Sequence, residues 1–109
     1  MEREYLVNQD DIRREPTHPG VLFAEDVLPA LGRRTISEIA TMLGVSRQTL
    51  HRVMAGTTAV TPEMALRLGK LCGNGPDLWL SMQAHYDIWR TKQRLGKRLQ
   101  KIPTLKAVG

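Results

Sequence analysis

The stretch from Ile36 to Ala55 constrains the fold of this chain most strongly, because it holds two helical patterns joined by a tight turn that begins at Gly44. The apolar residues of the first pattern recur at offsets of three and four, as a helix with one apolar face requires: Ile36, Ile39, Ala40 and Leu43. Thr35 and Glu38 have the spacing of a capping box, in which each side chain bonds the other residue's backbone N–H. Gly44 then predicts the end of this helix, since glycine reaches the left-handed conformation without steric cost.

A second helix is predicted after Val45, with Ser46 as its N-cap and Gly56 as its stop. A rotation of about 100° per residue turns three apolar side chains toward the core: Leu50, Val53 and Met54. The opposite face then consists of Arg47, Gln48, Thr49, His51 and Arg52. This outward face carries hydrogen-bonding side chains and no acid.

An outward face of this kind is typical of a helix that reads DNA. A helix fits the major groove, where Arg pairs with guanine and Gln with adenine through two hydrogen bonds each. In a helix-turn-helix, the N-terminal residues of the second helix make these contacts. The alternative is a pair of core helices in an all-α domain with a solvated face. The succession of a small residue, a glycine turn and an apolar plug (Ala40, Gly44 and Val45) favours the helix-turn-helix.

The charge distribution also favours a polyanionic partner. The chain of 109 residues carries a formal net charge of +5 and has a sequence pI of about 9.9. No acid follows Asp87, whereas seven basic residues do: Arg90, Lys92, Arg94, Lys97, Arg98, Lys101 and Lys106. A basic excess suggests a polyanion but does not identify it.

The same sequence disfavours a membrane or secreted protein. No apolar run approaches the roughly 18 residues of a membrane helix, and the N-terminal stretch MEREYLVNQD is too polar for a secretory signal. The single cysteine, Cys72, cannot form an internal disulfide, which fits a reducing compartment. We therefore expect a cytoplasmic protein without a membrane partner.

Two further helices are predicted on either side of the central pair. The first begins at Pro19 and Gly20, and Pro29 kinks or ends it, so that residues 29–32 form the connection. Its expected core residues are Leu22, Val27 and Leu31. The fourth helix begins after Thr61 and ends at Gly73. Its inner face is expected to contain Met64, Ala65, Leu68 and Leu71.

The last predicted helix opens at residues 75–77 and carries a wide apolar stripe at offsets of three and four: Leu78, Trp79, Met82, Tyr86 and Trp89. Such a stripe is more often core than a cofactor site, and its width also suits a dimer face. Beyond Arg90 we expect the helix to fray into a basic tail. The predicted organisation is an N-terminal arm over residues 1–17, a helix-turn-helix DNA-binding domain over residues 18–90 and a basic C-terminal tail over residues 91–109.

The sequence shows no candidate catalytic or metal site. His18, His51 and His85 are isolated, without a cysteine or carboxylate at metal-ligand spacing. Cys72 has no partner that marks it as a nucleophile, and no glycine-rich phosphate loop is present. We therefore expect neither an enzyme nor a bound metal or cofactor.

From Pro16 to Trp89 the chain resembles antitoxins of HigA type, within the Xre/Cro-like repressor class. The stretches that carry the resemblance are PTHPG at 16–20, EDVLPALG at 25–32, EIATMLGVSRQTL at 38–50, Met54-Ala55-Gly56, TPEMALRLGK at 61–70 and DLWLSMQAHYDIW at 77–89. Their combination is specific, whereas a helix-turn-helix alone would not be. The chain departs from the family pattern at two places. Val21 replaces an acid, and the linker has Arg33-Arg34-Thr35. Both departures lie outside the second helix of the pair.

The resemblance implies an all-α, five-helix Xre/Cro-like bundle of lambda-repressor type. From the residues themselves we expect an extended last helix and flexible termini. The resemblance also implies a homodimer that binds operator DNA, represses its own operon and neutralises a RelE-like ribonuclease toxin of HigB type. Carried over by position, the recognition helix matches Ser46, Arg47, Gln48, Thr49 and Arg52, and the phosphate-contacting start of the scaffold helix matches Thr35 and Ser37.

Two other functions remain open from the sequence. A stand-alone Xre-family transcriptional regulator would have the same recognition helix but no toxin partner. A protein-interaction module would use the same helices without DNA. The affinity of such a module for its partner would not depend on salt concentration. Phosphate contacts, by contrast, make the log of the DNA affinity fall steeply with the log of the salt concentration.

Overall fold

The computed structural model describes residues 14–106, and each regular element in that range is helical. Helix α1 covers Pro19–Leu22 and continues as a π-helical segment over Phe23–Val27 and a 3-10 turn over Leu28–Leu31. The later helices are α2 (Ile36–Leu43), α3 (Arg47–Met54), α4 (Pro62–Cys72), α5 (Asp77–Leu95) and the short α6 (Lys97–Gln100). The predicted all-α, five-helix fold with an extended last helix is confirmed. The expectation of flexible termini concerns residues 1–13 and 107–109, which lie outside the described range.

Short-range hydrogen bonds start the helices as the sequence predicts. At α2, Thr35 Oγ1 accepts from the Glu38 N–H at 3.1 Å, and Glu38 Oε1 accepts from the Thr35 N–H at 2.7 Å. At α4, Thr61 Oγ1 accepts from the Met64 N–H at 3.2 Å. Gly44 ends α2 in the left-handed conformation, with a φ of 76°. The capping box, the Thr61 cap and the glycine stop are therefore confirmed.

Of the two alternatives predicted for Pro29, a kink or a helix end, the end is wrong, because the helical path continues past Pro29 with a change of winding. The chain winds as a π-helix from Phe23 and as a 3-10 turn from Leu28. Pro29 is tolerated there because it occupies the first turn of the 3-10 segment, where its missing N–H breaks no hydrogen bond. The connection therefore covers residues 32–35 rather than 29–32. The three residues expected in the core are only half-buried: Leu22, Val27 and Leu31.

The core contains apolar side chains from all five principal helices and from the loop before α4. Its buried members are Phe23, Ile39, Ala40, Leu43, Leu50, Val53, Val60, Met64, Ala65, Leu68 and Trp79. The rings of Phe23 and Trp79 meet edge to face, with centroids 6.2 Å apart. Apolar spacing does not single out Phe23, although its side chain is fully buried.

The inner face of α5 also differs from its prediction. Trp79 is buried as expected, but Leu78 is 49 % exposed. The other members of the predicted stripe are half-buried: Met82, Tyr86 and Trp89. Gln83, which was not assigned to the stripe, is only 6 % exposed. The inner face of α5 is therefore partly polar.

Helix α5 is also longer than predicted. It passes Arg90 and ends at Leu95, so the expected fraying after residue 90 is wrong. Lys92 and Arg94 lie in its last turn, where cations interact favourably with the helix dipole. No helix within residues 14–106 has the length and apolarity needed to cross a membrane.

Helix α1 is packed directly onto the end of α3 through a glycine. A Cβ atom placed on Gly20 would lie 1.8 Å from the backbone oxygen of Val53. Because Gly20 has no side chain, the two backbones can approach closely. This contact holds α1 against the C-terminal end of α3.

Candidate nucleic-acid interface

The faces of α3 are those predicted from rotation about the helix axis. Leu50 and Val53 are buried against α2 and the core, with exposed fractions of 0 % and 2 %. Four side chains on the opposite side are exposed: Arg47, Gln48, His51 and Arg52. The two cations and the amide that sequence analysis assigned to base reading therefore share one accessible surface.

The hydroxyls at the start of α3 are bonded to each other. Ser46 Oγ accepts from the Thr49 N–H at 3.0 Å, which confirms the predicted N-cap. The same Ser46 hydroxyl donates to Thr49 Oγ1 at 2.8 Å, and Thr49 is half-buried. The Thr49 hydroxyl hydrogen remains available for a phosphate oxygen. Ser46 mainly orients the first turn of α3.

The start of α2 has a similar division of roles. The Thr35 hydroxyl is occupied by the capping box, and the Glu38 carboxylate lies beside it. Ser37 is exposed, so its hydroxyl is accessible. Arg33 and Arg34 are exposed in the preceding linker, where Arg34 donates to the Leu31 carbonyl oxygen. This end of α2 therefore presents one accessible hydroxyl and two cations close to one acid.

Arg67 braces the turn between α2 and α3, a role that sequence analysis missed. Its guanidinium donates to the carbonyl oxygens of Leu43 at 2.7 Å and Gly44 at 3.4 Å, which are otherwise unpaired at the helix end. Two further donations, at 3.0 and 2.8 Å, bind the Glu63 carboxylate one turn earlier on α4. The spacing of Glu63 and Arg67 could have suggested the ion pair, but nothing local indicates the contact with the turn.

The loop after α3 is bonded both to α3 and to α5. The Thr57 hydroxyl donates to the Arg52 carbonyl oxygen at 3.1 Å. The Val60 N–H donates to Gln83 Oε1 at 2.7 Å, and Gln83 Nε2 donates to Asp87 at 3.0 Å. The buried amide of Gln83 thus joins the loop to α5, so that α3 is held at its C-terminal end as well.

His18 has a structural role, whereas the sequence presented it as isolated. Its Nδ1 atom accepts from the Gly20 N–H at 2.9 Å and caps α1, and its ring lies edge-on to Tyr86 with centroids 5.0 Å apart. Burial lowers the pKa of His18, although a hydrogen bond to the Thr58 backbone and the charge of Asp87 oppose the shift. A neutral imidazole suits both the cap and the buried position.

The remaining reactive groups form no site among the residues that the structure describes. Within residues 14–106, no three His, Cys, Asp or Glu side chains are grouped as metal ligands. Cys72 is half-buried, and burial raises the pKa of its thiol. A raised pKa leaves less thiolate, which is the nucleophilic form.

Comparisons of sequence place this architecture among known proteins. A helix-turn-helix family model matches residues 32–79. An uncharacterised helix-turn-helix transcriptional regulator of Haemophilus influenzae is 34 % identical over 76 residues, which cover 70 % of this chain and 70 % of that protein. Antitoxin HigA-1 of Vibrio cholerae is 30 % identical over 82 residues, which cover 75 % of this chain and 76 % of that protein.

A solved structure extends the likeness over almost the whole chain. Antitoxin GraA, in complex with its operator, superposes with a TM-score of 0.77 at 27 % identity. The superposition covers 94 % of this chain and 99 % of the GraA chain. The predicted helix-turn-helix fold of antitoxin type is therefore confirmed.

Proposed function

This chain belongs to the helix-turn-helix family of DNA-binding regulators that includes the HigA-type antitoxins, and from that membership we propose that it binds its own operator and neutralises a RelE-like toxin of HigB type. In this proposal the protein represses the operon that encodes it and its toxin. Binding, rather than catalysis, is its activity.

The observation that carries the DNA-binding proposal is the exposed, acid-free face of α3. Arg47, Gln48 and Arg52 would read base edges in the major groove, where guanidinium and amide groups make paired hydrogen bonds. Helix α3 has eight residues, which at about 1.5 Å per residue give it a length of about 12 Å. Its diameter with side chains, about 10–12 Å, fits a groove about 12 Å wide.

The hydroxyl-bearing residues would hold the protein against the DNA backbone. Ser37 and Thr49 have hydroxyls available for phosphate oxygens, and Thr35 and Ser46 fix the helix starts whose free N–H groups face such anions. A homodimer would place two copies of α3 in successive major grooves. The operator would then be a pseudo-palindrome with half-sites about one helical turn, or a multiple, apart.

The toxin-binding part of the proposal is supported by the similarity of this chain to proteins that are named antitoxins. HigA-1 of Vibrio cholerae and GraA are both named antitoxins, and the latter was solved on its operator.

A stand-alone transcriptional regulator is the second candidate function. It is favoured by the Haemophilus influenzae relative, which is named a transcriptional regulator and is more similar in sequence than HigA-1. Both candidates bind DNA through the same residues. They differ only in whether a toxin partner exists.

Operator binding is tested with fluorescence anisotropy on duplexes from the region upstream of the gene, with a scrambled duplex of equal composition as control. We expect tight binding to one upstream duplex and weak binding to the scrambled one. Equal affinity for both would contradict sequence-specific DNA binding.

The toxin partner is tested by co-expression with the neighbouring small open reading frame. Growth is scored for the neighbour alone and for the pair, followed by pull-down. Rescue of growth together with a stable complex supports the antitoxin function. Lack of toxicity and of a complex, with operator binding retained, supports the stand-alone regulator.

A further inference from the structure

A cleft of about 630 Å³ lies between the loop that follows α3 and the outer half of α5. The residues that matter for its chemistry are His18, Thr57, Thr58, Asp87, Arg90 and Arg94. None of them belongs to the predicted DNA-reading surface. The cleft is open to solvent on the side of the two arginines, which are both exposed.

Arg90 and Arg94 present two guanidinium groups to this cleft. They are four residues apart and therefore lie on one face of α5. Arg90 is oriented by Tyr86: it donates to the phenol oxygen at 3.0 Å and lies over the ring at 5.6 Å from the centroid. Among residues 14–106, no carboxylate comes within 4.0 Å of either guanidinium. Both side chains can therefore bind an external anion.

The charge of the cleft is positive by one unit. Asp87 is its single acid, and the carboxylate already accepts from Gln83 Nε2 at 3.0 Å. His18 adds no charge near neutral pH, since burial lowers its pKa. Glu15 lines a neighbouring cleft of about 530 Å³ together with the same two arginines. After Asp87, the charged residues of α5 and α6 are all basic, so the remainder of α5 adds only positive charge beside the cleft.

The position of the cleft relative to α3 suggests what the anion is. Thr57 forms one wall, and both its N–H and its hydroxyl donate to the Arg52 carbonyl oxygen at 3.1 Å. The cleft therefore lies at the C-terminal end of α3. The major groove is about 8.5 Å deep, and α3 is about 12 Å long. If the N-terminal end of α3 enters the groove, its C-terminal end lies near the rim, where the phosphates are.

We propose that Arg90 and Arg94, with the exposed threonines Thr57 and Thr58 of the loop, form a phosphate clamp that binds the DNA backbone at the rim of the groove entered by α3. The inference rests on the DNA-binding function proposed above. In this proposal, α5 contributes to the part of the DNA affinity that does not depend on the base sequence. The hydrogen bonds through Thr57 and Gln83 couple the clamp to α3, so that a bound phosphate also fixes the depth of α3 in the groove.

The test compares two double variants that remove the same number of charges. R90Q/R94Q removes the clamp, and K70Q/K92Q removes two exposed cations that do not line the cleft. Affinity for the operator duplex and for a scrambled duplex is measured by anisotropy over a series of KCl concentrations. Thermal unfolding of each variant verifies the fold. D87N, which keeps the acceptor for Gln83, serves as a variant with the opposite expected effect.

For R90Q/R94Q we expect the slope of log affinity against log salt to fall by about 0.9 per lost phosphate contact, or about 1.8 per bound protomer. Both duplexes should be affected equally, so that the ratio of the two affinities is unchanged. D87N should bind both duplexes more tightly. K70Q/K92Q should change the slope much less than R90Q/R94Q.

Three possible results of these measurements would contradict the DNA-binding function, the phosphate clamp or the identity of its ligand. If wild type binds no duplex, the proposed DNA-binding function itself fails. If wild type binds but both double variants change the slope equally, the clamp is rejected and only net charge matters. If R90Q/R94Q leaves the slope intact but abolishes a complex with a partner protein, the cleft binds an acidic protein segment instead, and the proposal is also overturned.

Discussion

Single residues couple the outward face of α3 to the rest of the bundle. His18 caps α1 and contacts Tyr86 of α5, while Arg67 satisfies the carbonyl oxygens at the end of α2. Gln83 joins the loop after α3 to α5. Each of these side chains pairs a backbone group that would otherwise be left without a partner, and an unpaired buried polar group is costly. The orientation of α3 therefore depends on residues outside α2 and α3.

The titration of His18 predicts a stability that depends on pH. Because the folded-state pKa is lowered, the unfolded chain binds the proton more readily, and protonation favours unfolding. The contribution of His18 is fully present above about pH 6.5 and is lost as the pH falls through the lower, folded-state pKa. Urea unfolding at pH 7.5 and at pH values below 6.5 should show this loss in wild type.

H18N is the informative variant for that measurement, because asparagine can cap α1 but does not titrate. Its unfolding free energy should change less with pH than that of wild type. H85N removes an exposed histidine and serves as the control. An identical pH dependence in wild type and H18N would contradict the assignment.

Base reading by α3 predicts a change of specificity in single variants. R52A or Q48A should each weaken operator binding by about 1–3 kcal/mol and relax the preference at one base position. The measurement is anisotropy on operator duplexes with single substitutions, with K70A as a control outside the predicted interface. The assignment fails if both variants keep the affinity and the base preferences of wild type.

At the scale of the helices, close contacts rather than propensity decide how the elements are arranged. Gly20 lets α1 touch the backbone of α3, and Gly69 lets α4 approach the loop at Gly75, where a Cβ would lie 2.2 Å from a backbone carbon. The π-helical segment and 3-10 turn after α1 allow Phe23 to reach the core and Pro29 to remain helical. The first helix is thus held against α3 by its regular turn, and its irregular continuation brings Phe23 into the shared core.

The Gly20 contact predicts that G20A destabilises the protein. A Cβ 1.8 Å from the Val53 oxygen forces the backbones apart, and overpacking of this kind costs about 1–3 kcal/mol. Urea unfolding measures the loss, with S81A, an exposed substitution on α5, as the control. An unchanged midpoint for G20A would show that the α1–α3 contact is looser than described.

The link between the loop and α5 predicts a loss of stability in Q83L. Leucine fills the buried position but leaves the Val60 N–H without its acceptor, which costs about 1–3 kcal/mol. Q93L makes the same chemical change at an exposed position of the same helix and should lie within about 0.5 kcal/mol of wild type. Equal unfolding free energies for the two variants would contradict the role of Gln83.

At the scale of the whole molecule, positive charge extends well beyond the exposed, acid-free face of α3. The chain has an excess of five positive charges, and the basic residues of α5 and α6 extend this excess beyond the helix-turn-helix. In the proposed function, this charge attracts the protein to DNA of any sequence, and the side chains of α3 supply the specificity.

This charge distribution predicts a steep dependence of DNA affinity on salt. Each phosphate contact contributes about 0.9 to the slope of log affinity against log salt, so raising KCl should weaken binding to operator and scrambled duplexes. Anisotropy over a KCl series measures the slope for wild type, and the slope counts the contacts. A protein-interaction module would instead keep its affinity for its partner nearly independent of salt.

The amino-acid sequence alone determined the starts of α2, α3 and α4, the glycine stops of α2 and α4, and the outward face of α3. These features depend on residues three or four apart, as in the Thr35–Glu38 box, the Ser46 cap and the Gly44 stop. Rotation about a regular helix then places Gln48 and Arg52 on the exposed side. Their roles in reading bases, and the domain boundaries at residues 17 and 90, stay predictions.

Only the tertiary structure decided which side chains join distant segments. Gln83 and Val60 are 23 residues apart, and Arg67 and Leu43 are 24 residues apart. Burial is set by what packs against a helix. The apolar spacing on α5 therefore predicted a core position for Leu78, which is exposed, and did not predict that Gln83 is buried. The physical reason is the sequence separation of the interacting residues. Helix caps are formed by residues three or four apart, whereas burial and the hydrogen bonds of Arg67 and Gln83 depend on how whole helices pack together.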